Sequence, residues 1–171
     1  MLLGLTTKAE ALLPTALRAE RLSVSDWVFQ AMLLLPEGQR LRLVPPAQAE
    51  FLLFRGDPRL LGFALLNALE NALRYSPADS PVRLEARAEF RKGLAGLALS
   101  VLNEGAPLTD TECSALFDKY ARGPRSRGQG GLGLGLFLVR SIVEAHGGEA
   151  TFSPGREEGV ELRIWLPKGA P

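Results

Sequence analysis

An α+β two-layer sandwich, with a mixed sheet packed on helices, is the fold this sequence predicts, and three observations predict it. Strand-like and helix-like patterns interleave without the regular alternation that builds parallel βαβ units. Two pairs of strand-like runs read as hairpins, one around Arg91-Lys92-Gly93 and one within Glu149 to Leu166. Two apolar helix patterns, one opened by Asp57-Pro58 and one closed by Gly147-Gly148, supply the second layer.

Taken in order, residues 1–22 are rich in Leu and Ala with scattered charges and are interrupted by Pro14. They read as an appendage to the core, either one broken helix or a linker. Ser25 is a plausible N-cap for a short helix from Asp26 to Leu35, stopped by Pro36-Glu37-Gly38. Arg40 to Val44 alternates at period two and Phe51 to Phe54 is a short apolar run, so both read as strands. Asp57-Pro58 places a capping carboxylate before a proline at the first helical position, and that helix runs to Tyr75 before Pro77. Val82 to Phe90 and Leu94 to Leu102 form the first hairpin. A short helix near Thr111 to Tyr120 precedes a basic, glycine-rich stretch from Arg122 to Gly131. Leu132 to His146 is a helix, and Glu149 to Ser153 with Val160 to Leu166 complete the sheet.

Composition narrows the function. The 171 residues suit one domain with a real core, and 46% hydrophobic with 23% charged residues excludes disordered, collagen-like and mucin-like chains. Twenty basic against 19 acidic residues argue against nucleic acid or an anionic membrane held by bulk charge. Cys113 stands alone, so no intrachain disulfide and no cysteine metal cage is expected, which suits a reducing cytoplasm. The longest uncharged stretch, Gly128 to Val139, is well short of the roughly 20 residues a membrane span needs. The opening Met1-Leu-Leu-Gly-Leu lacks a basic stretch, so no signal peptide is read.

On a helical wheel Arg74, Asn67, Asn71 and Tyr75 share an arc of about 100 degrees, with Glu70 just outside it. The rest of Leu60 to Leu73 is almost wholly apolar. An amide oxygen is a hard, neutral ligand of the kind Mg²⁺ accepts beside phosphate oxygens, an arginine meets phosphate, and a tyrosine offers a stacking face. The same edge also reads as the wet side of an amphipathic helix. Gly131, Gly133 and Gly135 sit in the first turns of the next long helix, where each glycine costs about 1 kcal/mol. They let an anion approach backbone N–H groups at a helix N-terminus, or else they form a hinge or a packing spot. A formal G-x-G-x-x-G at Gly128, Gly130 and Gly133 lacks the preceding strand of a dinucleotide turn, and no Walker A lysine follows.

These residues resemble the catalytic, ATP-binding domain of sensor histidine kinases, within the GHKL superfamily that also holds DNA gyrase. Leu66 to Ser76 looks like the N box, Val101 to Leu108 occupies the first glycine box, Leu116 to Arg122 looks like the F box, and Gly131 to Leu136 the second glycine box. Ser141 to Gly148 and the closing strand to Pro167 also match. The resemblance implies the Bergerat ATP-binding fold over residues 25–168. Residues 1–24 would be a linker or the tail of a dimerisation and phospho-acceptor helix, and 169–171 a tail. It implies that Asn71 coordinates Mg²⁺, that Asn67 and Arg74 face the phosphates of ATP, and that Tyr75 packs beside adenine. Asn103, Gly105 and Leu108 would line the base side. Phe117 would anchor a mobile lid from about Pro107 to Gly130, with Arg122 as a γ-phosphate contact. Gly131, Leu132, Gly133, Leu134, Gly135 and Leu136 would close the lid's far end on the triphosphate. Arg125 and Arg127 either reach phosphate or belong to a solvated loop.

Asn103-Glu-Gly105-Ala-Pro107 stands where the family has Asp-x-Gly-x-Gly, replacing the aspartate that accepts from the adenine amino group. Asparagine keeps an acceptor oxygen, so weakened ATP binding is expected, at a cost on the order of 1 kcal/mol. Pro107 stiffens the lid entry. His146, the one histidine, is followed by two glycines where a phospho-acceptor is followed by an acidic residue, so it reads as structural. The acceptor histidine is therefore expected on a separate dimerisation domain, with a response regulator downstream and a parent kinase whose membrane anchoring stays open. No nucleic-acid or direct membrane contact is expected of this chain, and in isolation it is expected to be monomeric. Asn67 replaces the glutamate that activates water in the ATPase branches, which favours phosphotransfer over hydrolysis. The rivals are an anti-sigma-factor-type serine kinase of the same fold and a nucleotide-independent pseudokinase or interaction module.

Overall fold

The computed structural model describes residues 17–35, 40–44, 53–105, 108–120, 133–154 and 159–169. In chain order the elements are β1 (Glu20–Ser23), α1 (Val24–Leu33), β2 (Leu41–Val44), β3 (Leu53–Gly56), α2 (Pro58–Tyr75), β4 (Val82–Arg91), β5 (Leu94–Glu104), α3 (Asp110–Ala115), α4 (Gly135–Ala145), β6 (Glu149–Pro154) and β7 (Gly159–Pro167).

Five strands form one sheet in the order β2-β4-β5-β7-β6. β2 runs parallel to β4 and every other pair is antiparallel, so the sheet is mixed as expected. β4 and β5 are joined by Lys92-Gly93, both at positive φ (49° and 78°), the twist that a two-residue hairpin favours. β1 and β3 make a separate antiparallel pair. Lys168 ties that pair to the large sheet: Arg55 N–H donates to its carbonyl at 3.2 Å and its own N–H donates to Ala95 at 2.9 Å.

Helices α2 and α4 cover one sheet face. Leu61, Ala64, Leu65, Ala68, Leu69 and Ala72 of α2 recur at helical spacing and are all buried, as are Leu138, Val139, Ile142 and Val143 of α4. All of these except Leu138 form one buried cluster with Leu84, Leu97, Leu99, Val101, Leu162, Ile164 and Leu166 from the sheet. Burying each Leu, Val or Ile among them is worth about 1.5–3 kcal/mol. α1 adds Val24, Trp27, Val28 and Ala31, with Trp27 tilted against Phe54 at 5.4 Å.

Several boundaries differ from the sequence reading; α3, expected from Thr111 to Tyr120, spans Asp110–Ala115. Ser23, not Ser25, caps α1: its Oγ accepts from Asp26 N–H at 3.0 Å and donates to the Asp26 carboxylate at 2.7 Å. The earlier start lets Val24 face the core. Residues 17–23, read as appendage, reach the core, because β1 pairs with β3 and Arg18 N–H donates to Asp57. α4 begins at Gly135 instead of Leu132, because Gly133 at φ 66° cannot continue a right-handed helix.

Candidate functional site

Asp57 sets where α2 begins. Its Oδ1 accepts from the N–H groups of Arg59 (3.1 Å) and Leu60 (3.2 Å), and its Oδ2 from Arg18 N–H (3.1 Å). Burial works against this carboxylate, but the Leu60, Arg18 and Arg59 donors and the Arg59 charge outweigh it and hold its pKa below the ordinary value. From that start, Asn67, Asn71, Arg74 and Tyr75 fall along one edge of α2, the asparagines half-buried and Arg74 and Tyr75 exposed. Asn67 Nδ2 donates to Phe63 carbonyl at 2.8 Å. Its Oδ1 faces the start of α4, where a Cβ on Gly135 would stand 3.0 Å away. The Asn71 amide has no hydrogen-bond partner among the described residues.

The start of α4 is built unlike the other helix starts. Ser23, Asp57 and Thr109 cap α1, α2 and α3 with side-chain oxygens, and Thr109 closes a capping box with Glu112. Leu134, at the N-cap of α4, offers no side-chain hydrogen bond. An uncapped N-terminus next to glycine backbone leaves N–H donors and positive dipole for an outside anion. Leu136 is half-buried and packs on the core.

At the other end of the α2 edge, a Cβ on Gly105 would lie 3.6 Å from Tyr75 carbonyl and 3.5 Å from Asn103 Nδ2. The structure thus brings Tyr75, Asn103 and Gly105 together. Asn103 Nδ2 donates to Glu104 carbonyl at 3.0 Å, which leaves its Oδ1 as an acceptor. Leu108 is half-buried just before the Thr109 cap.

Phe117 is buried against Phe152 of β6, with ring centres 5.1 Å apart and the Arg140 guanidinium 5.6 Å above the ring. It anchors the segment after α3 in the core. Three residues on, Tyr120 N–H donates to Gly133 carbonyl at 3.0 Å, both residues at positive φ. That bond joins Tyr120 directly to the residue two before α4. Arg122, Gly131 and Leu132 lie outside the described residues, as do Pro107, Arg125 and Arg127. Cys113 on α3 is buried; burial and the neighbouring Asp110 and Glu112 charges push its thiol pKa up, which makes it a poor nucleophile.

Residues 56–170 match the family model described as histidine kinase-, DNA gyrase B-, and HSP90-like ATPase. The chain belongs to that family. Sensor protein KdpD of Escherichia coli is 32% identical over 152 residues, covering 89% of this chain and 17% of KdpD. Sensor protein kinase PmrB of Pseudomonas aeruginosa is 39% identical over 108 residues, covering 61% of this chain and 21% of PmrB. The chain therefore spans about a fifth of the length of these relatives. The fold is that of the catalytic domain of histidine kinase ThkA: TM-score 0.74 at 20% identity, covering 89% of this chain and 97% of that one. Full-length ShkA in complex with AMPPNP gives 0.71 at 19% identity, covering 93% of this chain and 33% of ShkA.

The family match begins at Gly56 and so includes the whole α2 edge, the β5 end and the α4 start. Two sets of long-range contacts around the candidate site were not visible in the sequence, although His146 was read there as structural. Arg40, read as strand, reaches the end of α2, donating to Leu73 carbonyl (3.3 Å), Ser76 Oγ (2.7 Å), Pro77 carbonyl (2.6 Å) and Ser80 carbonyl (3.2 Å). His146 is fully buried, with Nε2 accepting from Asp57 N–H at 3.0 Å and Nδ1 lying 2.7 Å from Ile142 carbonyl. That geometry assigns the ring proton to Nδ1 and gives His146 a structural task. Among the described residues no three His, Cys, Asp or Glu side chains cluster as metal ligands, and no helix is long and apolar enough to cross a membrane.

Proposed function

We propose that this chain binds Mg²⁺-ATP and presents the γ-phosphoryl group to a histidine on a separate dimerisation and phospho-acceptor domain, as the catalytic domain of a sensor histidine kinase. The observation that carries the reading is the start of α4, which has no side-chain cap and lies against Asn67 at Gly135, one turn from Asn71 on the same edge of α2. A neutral amide oxygen on a rigid helix, beside a helix N-terminus that favours anions, suits a magnesium–triphosphate pair better than either ion alone.

In this reading Asn71 supplies the one protein oxygen for Mg²⁺, which when bound neutralises charge on the phosphates. Asn67, Arg74 and Arg122 orient the triphosphate, and Gly131, Leu132, Gly133 and Gly135 let its oxygens reach backbone N–H groups. Tyr75 and Leu108 flank the base, while Asn103 Oδ1 accepts from its amino group. Asn67 cannot serve as a base toward water, so hydrolysis by the chain alone is slow and the phosphoryl group waits for an acceptor histidine. Phe117 anchors the segment that closes over the nucleotide. The response regulator that takes the phosphoryl group onward belongs to the same proposal.

Calorimetric titration with ATP, with and without Mg²⁺, tests the reading against Asn71→Ala. Mg²⁺-dependent binding that disappears in the variant supports it. Absence of binding by the parent chain at millimolar ATP rejects it in favour of a nucleotide-independent module.

A further inference from the structure

We propose that Arg40 is a positioning residue for the base side of the nucleotide site. The inference rests on the ATP-binding reading and adds to it the group that sets base affinity. One guanidinium organises the whole end of α2. Nη2 donates to Ser76 Oγ, Pro77 carbonyl and Ser80 carbonyl, Nη1 to Leu73 carbonyl, and Nε to Ser80 carbonyl at 3.4 Å. Ser76 is the C-cap of α2 and its N–H still donates to Ala72 carbonyl, so the arginine holds the last turn where the helix stops. Ser80 donates back to Pro77 carbonyl from both its N–H and its Oγ, folding the 76–80 turn around the same guanidinium.

A helix C-terminus collects unpaired carbonyls and negative dipole, and a fixed planar cation satisfies both. Tyr75 lies between two of the clamped residues, and its carbonyl abuts Gly105 beside Asn103. The gap between Tyr75 and the end of β5 is therefore set by the clamp. Asn67, against which Gly135 of α4 packs, stands eight residues before Tyr75, about 12 Å back along the helix. Loosening Arg40 thus disturbs the base side and spares the phosphate side.

The test compares ATP with inorganic tripolyphosphate as competitors of a labelled ATP analogue, on the parent chain, Arg40→Ala and Arg40→Lys, with thermal unfolding recorded for each. Lysine keeps the charge but loses the planar fork, so it reports even where the alanine variant fails to fold. Loss of about ten-fold in ATP affinity, with tripolyphosphate changed less than about two-fold, is the expected result. Equal losses for both ligands, or unchanged ATP binding, would overturn the inference. A parent chain that binds neither ligand rejects the ATP reading itself, a result distinct from a binding parent with indifferent variants.

Discussion

The N–H of Asp57 donates to Nε2 of His146 across 3.0 Å, joining residues 89 positions apart in the interior. The bond holds the start of α2 against the end of α4, so the edge that carries Asn67 and the start that carries Gly135 are fixed by a contact at their far ends. Replacing His146 with Leu leaves Asp57 N–H without an acceptor and removes a donor from Ile142 carbonyl. A loss of about 2–3 kcal/mol in urea unfolding is expected, with His146→Gln recovering part of it because its amide oxygen can reach the same N–H.

Asp57 makes stability depend on acid. Its folded pKa lies below the ordinary 3.8, so the carboxylate's contribution is fully present above that value and is lost as pH falls through the lower, folded pKa. Asp57→Asn keeps a capping oxygen but not the charge. Its deficit relative to the parent is expected to be largest above pH 3.8 and to shrink as pH falls below that value and through the folded pKa, in denaturant titrations at several pH values. A deficit that stays constant over that range would refute the assignment.

Gly135→Ala separates stability from binding. An added Cβ would press on Asn67 Oδ1 at 3.0 Å, so the Asn67 side chain, which donates to Phe63 carbonyl, must give by a few tenths of an ångström. Helix propensity returns up to about 1 kcal/mol, so the melting temperature is expected to hold or rise slightly. ATP affinity is expected to fall about five-fold or more, since the backbone at the anion site is screened.

Cys113 reports on the segment it shares with Phe117. Its thiol is buried and its pKa is raised, so reaction with an aromatic disulfide reagent at neutral pH is expected to be at least about 100-fold slower than in urea. Phe117→Ala, which empties the contact with Phe152, should accelerate labelling before it lowers the global melting temperature.

Features encoded locally were legible in the sequence. Asp57-Pro58 announces its helix because cap and proline act on their own turn, and the buried positions of α2 follow from its spacing. Lys92-Gly93 marks its hairpin for the same reason. The start of α1 was ambiguous because Ser23 and Ser25 are both competent caps, and the burial of Val24 decides between them. The start of α4 was misread because a run of alternating glycines does not show which one turns left-handed. The contacts of Arg40 and His146 were illegible: their partners lie 33 to 40 and 89 residues away, and only the folded chain brings them within reach.

β5 sits at the middle of the sheet, and its two neighbours come from opposite directions along the chain. β4 is adjacent in sequence and pairs through a two-residue turn, an event of microseconds. β7 pairs Gly96 with Pro167, so during synthesis one whole edge of β5 stands open until the β6–β7 hairpin has left the ribosome. That edge includes Leu97, Leu99 and Val101, an apolar run that other nascent chains could pair with. The interval between translation of residue 104 and residue 167 is therefore the period in which this protein is most exposed to aggregation, and slowing the ribosome there should lower its soluble yield more than slowing it anywhere earlier.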